Sequence, residues 1–271
     1  YRVEPSGINS LFKGLTVWNI LSHPGGETWL ATDKNGIIRL QGDSVTGNFH
    51  RGNGLPSNQI LDLTTDEEGN TWFASFDQGI IMYDDNKFLS YGREEGIAGN
   101  QVLSVLFDND RHLLLSTEEG FARYKADCER IERQRSYTIR DGLNDAGVNT
   151  MTWYEGSLWL GTNNGINILE GDRMRSFHLN IKLPDQKINA LYADSRNYLW
   201  IGTGGGYCRY SGGKMVTLTQ SDGLINNEIQ TIIEDSSGKI WMGTMGGLVR
   251  LADTIYTDYD SEEGLSFTRI N

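Results

Sequence analysis

One phrase recurs along the chain and decides most of its organisation. Six segments end alike: TWLAT at Thr32, TWFAS at Ser75, LLLST at Thr117, LWLGT at Thr162, LWIGT at Thr203 and IWMGT at Thr244. Their anchors, Trp29, Trp72, Leu114, Trp159, Trp200 and Trp241, are spaced by 43, 42, 45, 41 and 41 residues. Four-stranded propeller blades repeat at roughly 40–45 residues. A β-sandwich also uses short antiparallel strands, but it has no reason to repeat its sequence at a fixed period, whereas radial blades do.

Each unit reads the same way. A Gly-Leu or Gly-Ile pair opens it (Gly54-Leu55, Gly96-Ile97, Gly142-Leu143, Gly223-Leu224), and an apolar strand such as Ile60 to Thr64 follows. An Asp-x-x-Gly turn comes next, at Asp66 to Gly69 and Asp235 to Gly238. There the Asp side chain can cap free backbone N–H groups while the last residue takes a left-handed conformation, which glycine tolerates at no steric cost. Asn197 fills that slot in the fifth unit, and asparagine is the next most tolerant residue. After the tryptophan strand a short loop closes on Gly36, Gly79, Gly120, Gly165, Gly206 or Gly247.

Composition agrees with this punctuation. The chain holds 33 glycines but only 4 prolines in 271 residues, the signature of many tight turns and not of a low-complexity linker. No window carries a 3.6-residue apolar period. The chain is therefore expected to be all-β, a β-propeller of four-stranded antiparallel blades forming a single domain over residues 1–271. Six complete repeats fall at roughly 14–50, 54–92, 96–139, 142–180, 183–220 and 223–260, with a partial seventh at 264–271. Residues 1–7 read as the end of an outer strand followed by an opener. The chain is thus expected to be cut from a longer run of blades, or to close as six with leftover ends.

The repeated phrase, Gly-Leu-x-x-Asn-x-Ile, then Asp-x-x-Gly-x-Leu/Ile-Trp-Ile/Leu-Gly-Thr, resembles the two-component regulator propeller repeat. That repeat occurs in the extracytoplasmic sensor parts of bacterial hybrid histidine kinases. Units two, five and six carry it best, at Asn58 and Ile60, at Asp194 and Trp200, and at Asn227, Ile229, Asp235, Gly238 and Trp241. Unit one has His23 in the Asp slot, unit three has Leu114 for Trp, and unit four has a shortened first turn near Trp153. The resemblance implies a periplasmic or extracytoplasmic ligand-sensing module, with adjacent domains of the same sensor as partners and any kinase outside this chain. An oligosaccharide or its breakdown product is the ligand it suggests, and a homodimer of the full-length protein stays open. A protein-interaction scaffold is the alternative, and a propeller lyase or hydrolase the third.

Charge narrows the partners. Asp and Glu outnumber Lys and Arg by 36 to 24, a net charge of −12, which argues against nucleic acid or an anionic membrane surface. No stretch approaches the roughly 18 apolar residues of a membrane span, and no basic-then-apolar leader opens the chain, so the reading is a soluble or already processed piece. Cys128 and Cys208 stand in no metal-ligand spacing.

Several motifs carry competing readings. The five register tryptophans read as inter-blade core, not as a sugar platform. The Asp-x-x-Gly turns with Glu67, Glu68 and Asp110 read as caps, since calcium needs six to eight converging oxygens. His23, His50, His112 and His178 occupy non-equivalent slots, so neither a metal nor a cofactor is expected. No hydrolase, zinc or phosphate-cradling motif is present, and no enzyme chemistry is expected of this chain. The loops between second and third strands differ from unit to unit. They supply the candidate ligand-binding residues Lys34, Asn35, Phe76, Asp77, Gln78, Glu118, Asn163, Asn164 and, beside them, Lys187. Trp18, off the tryptophan register and near the start of a first strand, completes the set. Amides, carboxylates and an aromatic would suit a polyhydroxylated ligand, against the alternative of a solvated polar rim.

Overall fold

Runs of branched and aromatic residues between glycine-bearing turns become strands because such side chains pack well on a pleated surface. The computed structural model describes residues 16–23, 25–42, 44–126, 130–178, 182–235, 237–252 and 255–259. The expectations for residues 1–7 and 264–271 lie outside the described residues, as does Cys128. Among the described residues, 24 strands form six four-stranded antiparallel sheets, each in chain order. They are the blades of a β-propeller: blade 1 spans 17–49, blade 2 60–91, blade 3 102–137, blade 4 148–176, blade 5 188–218 and blade 6 229–259. The chain divides into two compact units, 1–136 and 137–271. Blades 1 to 3 belong to the first and blades 4 to 6 to the second, with the strand Ile131–Tyr137 ending at the boundary.

The opener has a structure that strand patterning does not reveal. Single-turn 3-10 helices at Arg51–Asn53, Ile139–Asp141 and Gln220–Asp222 precede Gly54, Gly142 and Gly223, whose φ angles are 108°, 103° and 101°. The glycine reverses the chain in the left-handed region, and the next residue, Leu55, Leu143 or Leu224, is buried.

The tryptophan register is the inter-blade core. Trp29, Trp72, Trp159, Trp200 and Trp241 all lie in second strands; the first four are buried and Trp241 is half-buried. Each of the four packs toward the following blade: Trp29 lies 5.6 Å from Phe73, Trp72 6.0 Å from Phe107 and Trp159 5.6 Å from Tyr210, while Trp200 clusters with Leu224, Ile229 and Ile232.

The turn aspartate does two jobs, of which the sequence shows one. In blade 5, Asp194 Oδ1 accepts from the backbone N–H of Arg196 and Tyr198 at 3.0 and 2.8 Å, while Oδ2 accepts the Trp200 indole N–H at 2.8 Å. The same indole bond joins Trp72 to Asp66 at 2.8 Å and Trp241 to Asp235 at 2.7 Å. Asp and Trp six residues apart therefore lock the first hairpin onto the core. Where His23 replaces Asp, Glu27 accepts the Trp29 indole N–H instead.

An arginine across the ladder covers several of these rings. Trp29, Trp200 and Trp241 pair with Arg39, Arg209 and Arg250, whose guanidinium carbons stand 5.5, 5.8 and 5.6 Å from the ring centroids, within cation–π range. In blade 3 the Trp slot is Leu114, and its partner Arg123 places Nε 3.2 Å from Asp108 instead.

The small residue after the tryptophan strand's apolar core marks a close approach between blades. A Cβ at Gly161 would meet Ile188 Cγ2 at 2.6 Å, and one at Gly202 would meet Ile229 Cγ2 at 2.7 Å. Nearby, Asp62 ties three blades together. It accepts from Asn19 Nδ2 of blade 1, from Ser104 Oγ and Val105 N of blade 3 at 2.7 and 2.8 Å, and from Leu63 N at 2.9 Å. Burial pushes its carboxyl pKa up, against the pull of those donors.

Asn197 has φ 63°, the left-handed backbone expected at the fifth turn, and Arg111 takes the equivalent slot in blade 3 with φ 64°. Asn197→Gly should therefore change stability by no more than about 0.5 kcal/mol, whereas Asn197→Val should cost about 1–2 kcal/mol. Thermal or urea melts that rank the two variants the other way contradict the hairpin.

Candidate functional site

The loops between second and third strands are rigid by construction. Thr32 Oγ1 donates to Gly36 O at 2.8 Å and accepts from Asn35 N at 3.0 Å. Ser75, Thr162 and Thr203 repeat both bonds with their own loops. The connection entering the next blade is bonded to the same loops, since Gly36 N donates to Asn58 O, Gly79 N to Asn100 O and Gly165 N to Gln186 O.

On this frame the candidate residues separate into free and engaged ones. Phe76 is 45% exposed at its loop tip. Lys34 is exposed, with Asp33 at 3.7 Å, and Glu118 and Lys187 are also exposed. Asn35 and Gln78 give their backbone N–H groups to Thr32 and Ser75. Asp77, in contrast, is ion-paired with Arg51 and accepts from Ser57 Oγ at 2.6 Å. Asn163 donates to Asp145 Oδ1 and accepts from Asn149 Nδ2, both at 3.0 Å. Asn164 Nδ2 reaches Asn144 O at 3.5 Å. These three tie loops together, which leaves the side chains of Phe76, Lys34, Asn35, Glu118 and Lys187 presented to solvent.

Trp18 occupies a bulge in the first strand Val17–Ser22, between the paired residues Val17 and Asn19. Its indole N–H is shielded and has no acceptor among the described residues. The same bulge recurs in every blade, holding Leu61 and Leu103 in the first unit and Asn149, Asn189 and Gln230 in the second. Asn149 Nδ2 donates to Ile188 O at 3.0 Å and Asn189 Nδ2 to Ile229 O at 2.9 Å, each bonding the next blade. Sequence reasoning missed this role, although an Asn one residue after each strand's first apolar residue was the available signal.

A cleft of about 580 Å³ opens at the other end of the blades, between the first hairpins of blades 2 and 3. Phe107, Ala126 and Trp72 give it an apolar wall. Five carboxylates, Asp66, Glu67, Glu68, Asp108 and Asp110, line it against two permanent cations, Arg111 and Lys125. Arg111 bridges to Glu67 and, at 3.6 Å, to Glu68. Asp108, Asp110 and His112 bring one ligand atom each to within 4.8 Å of one another. Asp108 is already occupied as a cap: it accepts from the N–H of Asp110 and His112 at 2.9 and 2.8 Å, and Arg123 adds a positive charge beside it. That donor set suits a turn cap better than a cation.

The geometry of opener, first strand, Asp-x-x-Gly turn and Trp strand coincides with a known repeat. The profile described as "Two component regulator propeller" matches residues 54–77, 182–205 and 223–246, in each case from the opener to the loop after the Trp strand. Three blades carry the two component regulator propeller repeat. No curated protein matched the sequence.

Solved structures share the fold of these regulator propeller repeats. The extracellular domain assigned to a hybrid two component system of B. thetaiotaomicron aligns with TM-score 0.60 at 20% identity, covering 93% of this chain and 42% of that one. The type-IX secretion component PorZ of Porphyromonas gingivalis gives 0.72 at 17%, covering 94% and 43%. Virginiamycin B lyase from Staphylococcus aureus gives 0.73 at 14%, covering 93% and 86%. The chain thus spans less than half the length of the first two. No helix among the described residues is long and apolar enough to cross a membrane.

Proposed function

We propose that the chain is the extracytoplasmic, ligand-sensing propeller of a two-component regulator, acting with adjacent domains of the same protein. The observation that supports it is the regulator propeller repeat in three blades. The extracellular placement of the hybrid-system domain with the same fold agrees. In this reading the ligand is an oligosaccharide or its breakdown product, and it meets the loops between second and third strands. Phe76 supplies a stacking face, Lys34 and Glu118 supply hydrogen bonds, and Trp18 belongs to the same candidate set. Asn35, Asp77, Gln78, Asn163, Asn164 and Lys187 complete or brace that surface. The likeness to virginiamycin B lyase rests on fold, which does not carry chemistry.

Calorimetric titration against a panel of oligosaccharides tests the reading. At least one sugar should bind, about tenfold more weakly to Phe76→Ala, a loss of about 1.4 kcal/mol. Glu67→Ala, at the other end of the blade, should leave that affinity unchanged. Turnover of the sugar would replace the sensor reading with an enzyme, and binding confined to a purified neighbouring domain would favour a scaffold.

A further inference from the structure

We propose that the cleft between the first hairpins of blades 2 and 3 binds a small organic cation with an apolar body. The starting point is a difference between equivalent gaps. Between blades 5 and 6, Ser195 follows the turn aspartate and donates its N–H and Oγ to Glu234, at 2.7 and 2.6 Å. Glu234 is the last residue of the strand Ile229–Glu234, so the two hairpins are joined directly. Between blades 4 and 5 the hairpins are also joined, by Tyr154 Oη donating to Asn197 O at 3.2 Å.

Between blades 2 and 3 the corresponding residues are Glu67, which follows Asp66, and Phe107, the last residue of Val102–Phe107. An aromatic ring cannot accept the bond that seals the other gap, and a second carboxylate replaces the serine. The space stays open, with a volume within the usual range of small-molecule sites.

The lining selects the class of occupant. Five carboxylates line it with Arg111 and Lys125, and Arg123 pairs with Asp108 from beside the cleft, which leaves an excess of two negative charges, a potential that favours a cation. Two of those carboxylates already hold one, since Glu67 and Glu68 reach Arg111 from the neighbouring blade. All three side chains are more than 60% exposed, so these pairs are weak and exchange readily. Asp110 is exposed and enters no ion pair among the described residues. Beneath the charges, Phe107 and Ala126 offer an apolar floor, and an ammonium near the Phe107 ring gains cation–π attraction.

Three probes of one shape and different charge test this: phenethylamine, 2-phenylethanol and phenylacetate, titrated calorimetrically at low salt. Phenethylamine should bind saturably, at least about tenfold tighter than either of the others. Asp110→Asn should weaken it about tenfold, and Arg111→Gly should tighten it, because Glu67 and Glu68 lose their resident cation. Phe107→Glu combined with Glu67→Ser transplants the seal of blades 5 and 6 and should abolish binding, with a thermal melt reporting that the protein stays folded. If that pair of changes unfolds the chain, the two single variants decide. The proposal is overturned by no saturable phenethylamine binding in the millimolar range, by equal binding of the alcohol, or by an affinity that neither Asp110→Asn nor Arg111→Gly alters.

Discussion

Trp200→Ala should lower the free energy of unfolding by about 3–5 kcal/mol, the range of large core truncations. Three losses add. The ring is 1% exposed and packs with Leu224, Ile229 and Ile232, so its removal leaves a void between blades 5 and 6. Asp194 Oδ2, in a buried residue, loses its indole donor. Arg209 loses the face it covers. Blade 3 already uses leucine at this register and keeps it buried, so Trp200→Leu should cost clearly less than the alanine variant. Urea melts of the two variants check both statements. A loss below about 1 kcal/mol for Trp200→Ala contradicts the packing role.

Asp62→Ala should cost about 3 kcal/mol, because Ser104 Oγ, Val105 N and Asn19 Nδ2 lose one shared acceptor among packed strands of three blades. Asp62→Asn, which keeps an acceptor oxygen, should cost less than half as much. The pH dependence has a definite sign. Burial holds the folded carboxyl above its ordinary value of 3.8. Its contribution is therefore fully present below that pH and declines as pH rises through the folded pKa. Wild type should lose ground relative to Asp62→Asn as pH is raised from about 4 to about 7. Asp235 works in the opposite direction: the Ser237 hydroxyl, the Trp241 indole and the Lys239 N–H hold its pKa below the usual range, so its contribution fades on acidification. Chemical denaturation at several pH values separates the two, and a gap between wild type and Asp62→Asn that does not change with pH removes the claim about Asp62.

The repeat made the fold legible because one physical demand recurs between neighbouring blades of each unit: a large ring of one blade covers the next, and a small residue admits the neighbour. Trp200 and Gly202 announce that demand in the sequence. Asn197 announced its left-handed turn for a similar reason, since few residues accept that backbone. The 3-10 openers escaped notice because a single turn is too short for any periodicity. The indole bond to Asp194 was hidden because it joins residues six apart, a spacing with no meaning until the hairpin folds. Candidate sites were harder to read. Asp77 and Asn163 look like ligand-facing residues in a variable loop, yet they spend their polar groups on Arg51, Ser57 and Asp145. The cleft beside Phe107 depends on a comparison between hairpins distant in the chain, which only coordinates make possible.

Because a threonine or serine hydroxyl and one glycine close each loop on their own, exposed tip residues such as Phe76 and Lys34 carry almost no folding duty. Their side chains are free to drift under selection for whatever they touch. Such side chains behave as interchangeable parts on a fixed chassis: Phe76→Lys, which keeps Asp77 and its bonds to Arg51 and Ser57, should alter the surface presented while leaving the melting curve nearly where it was. A chain built this way can vary its exposed tips one blade at a time, without first solving the folding problem again.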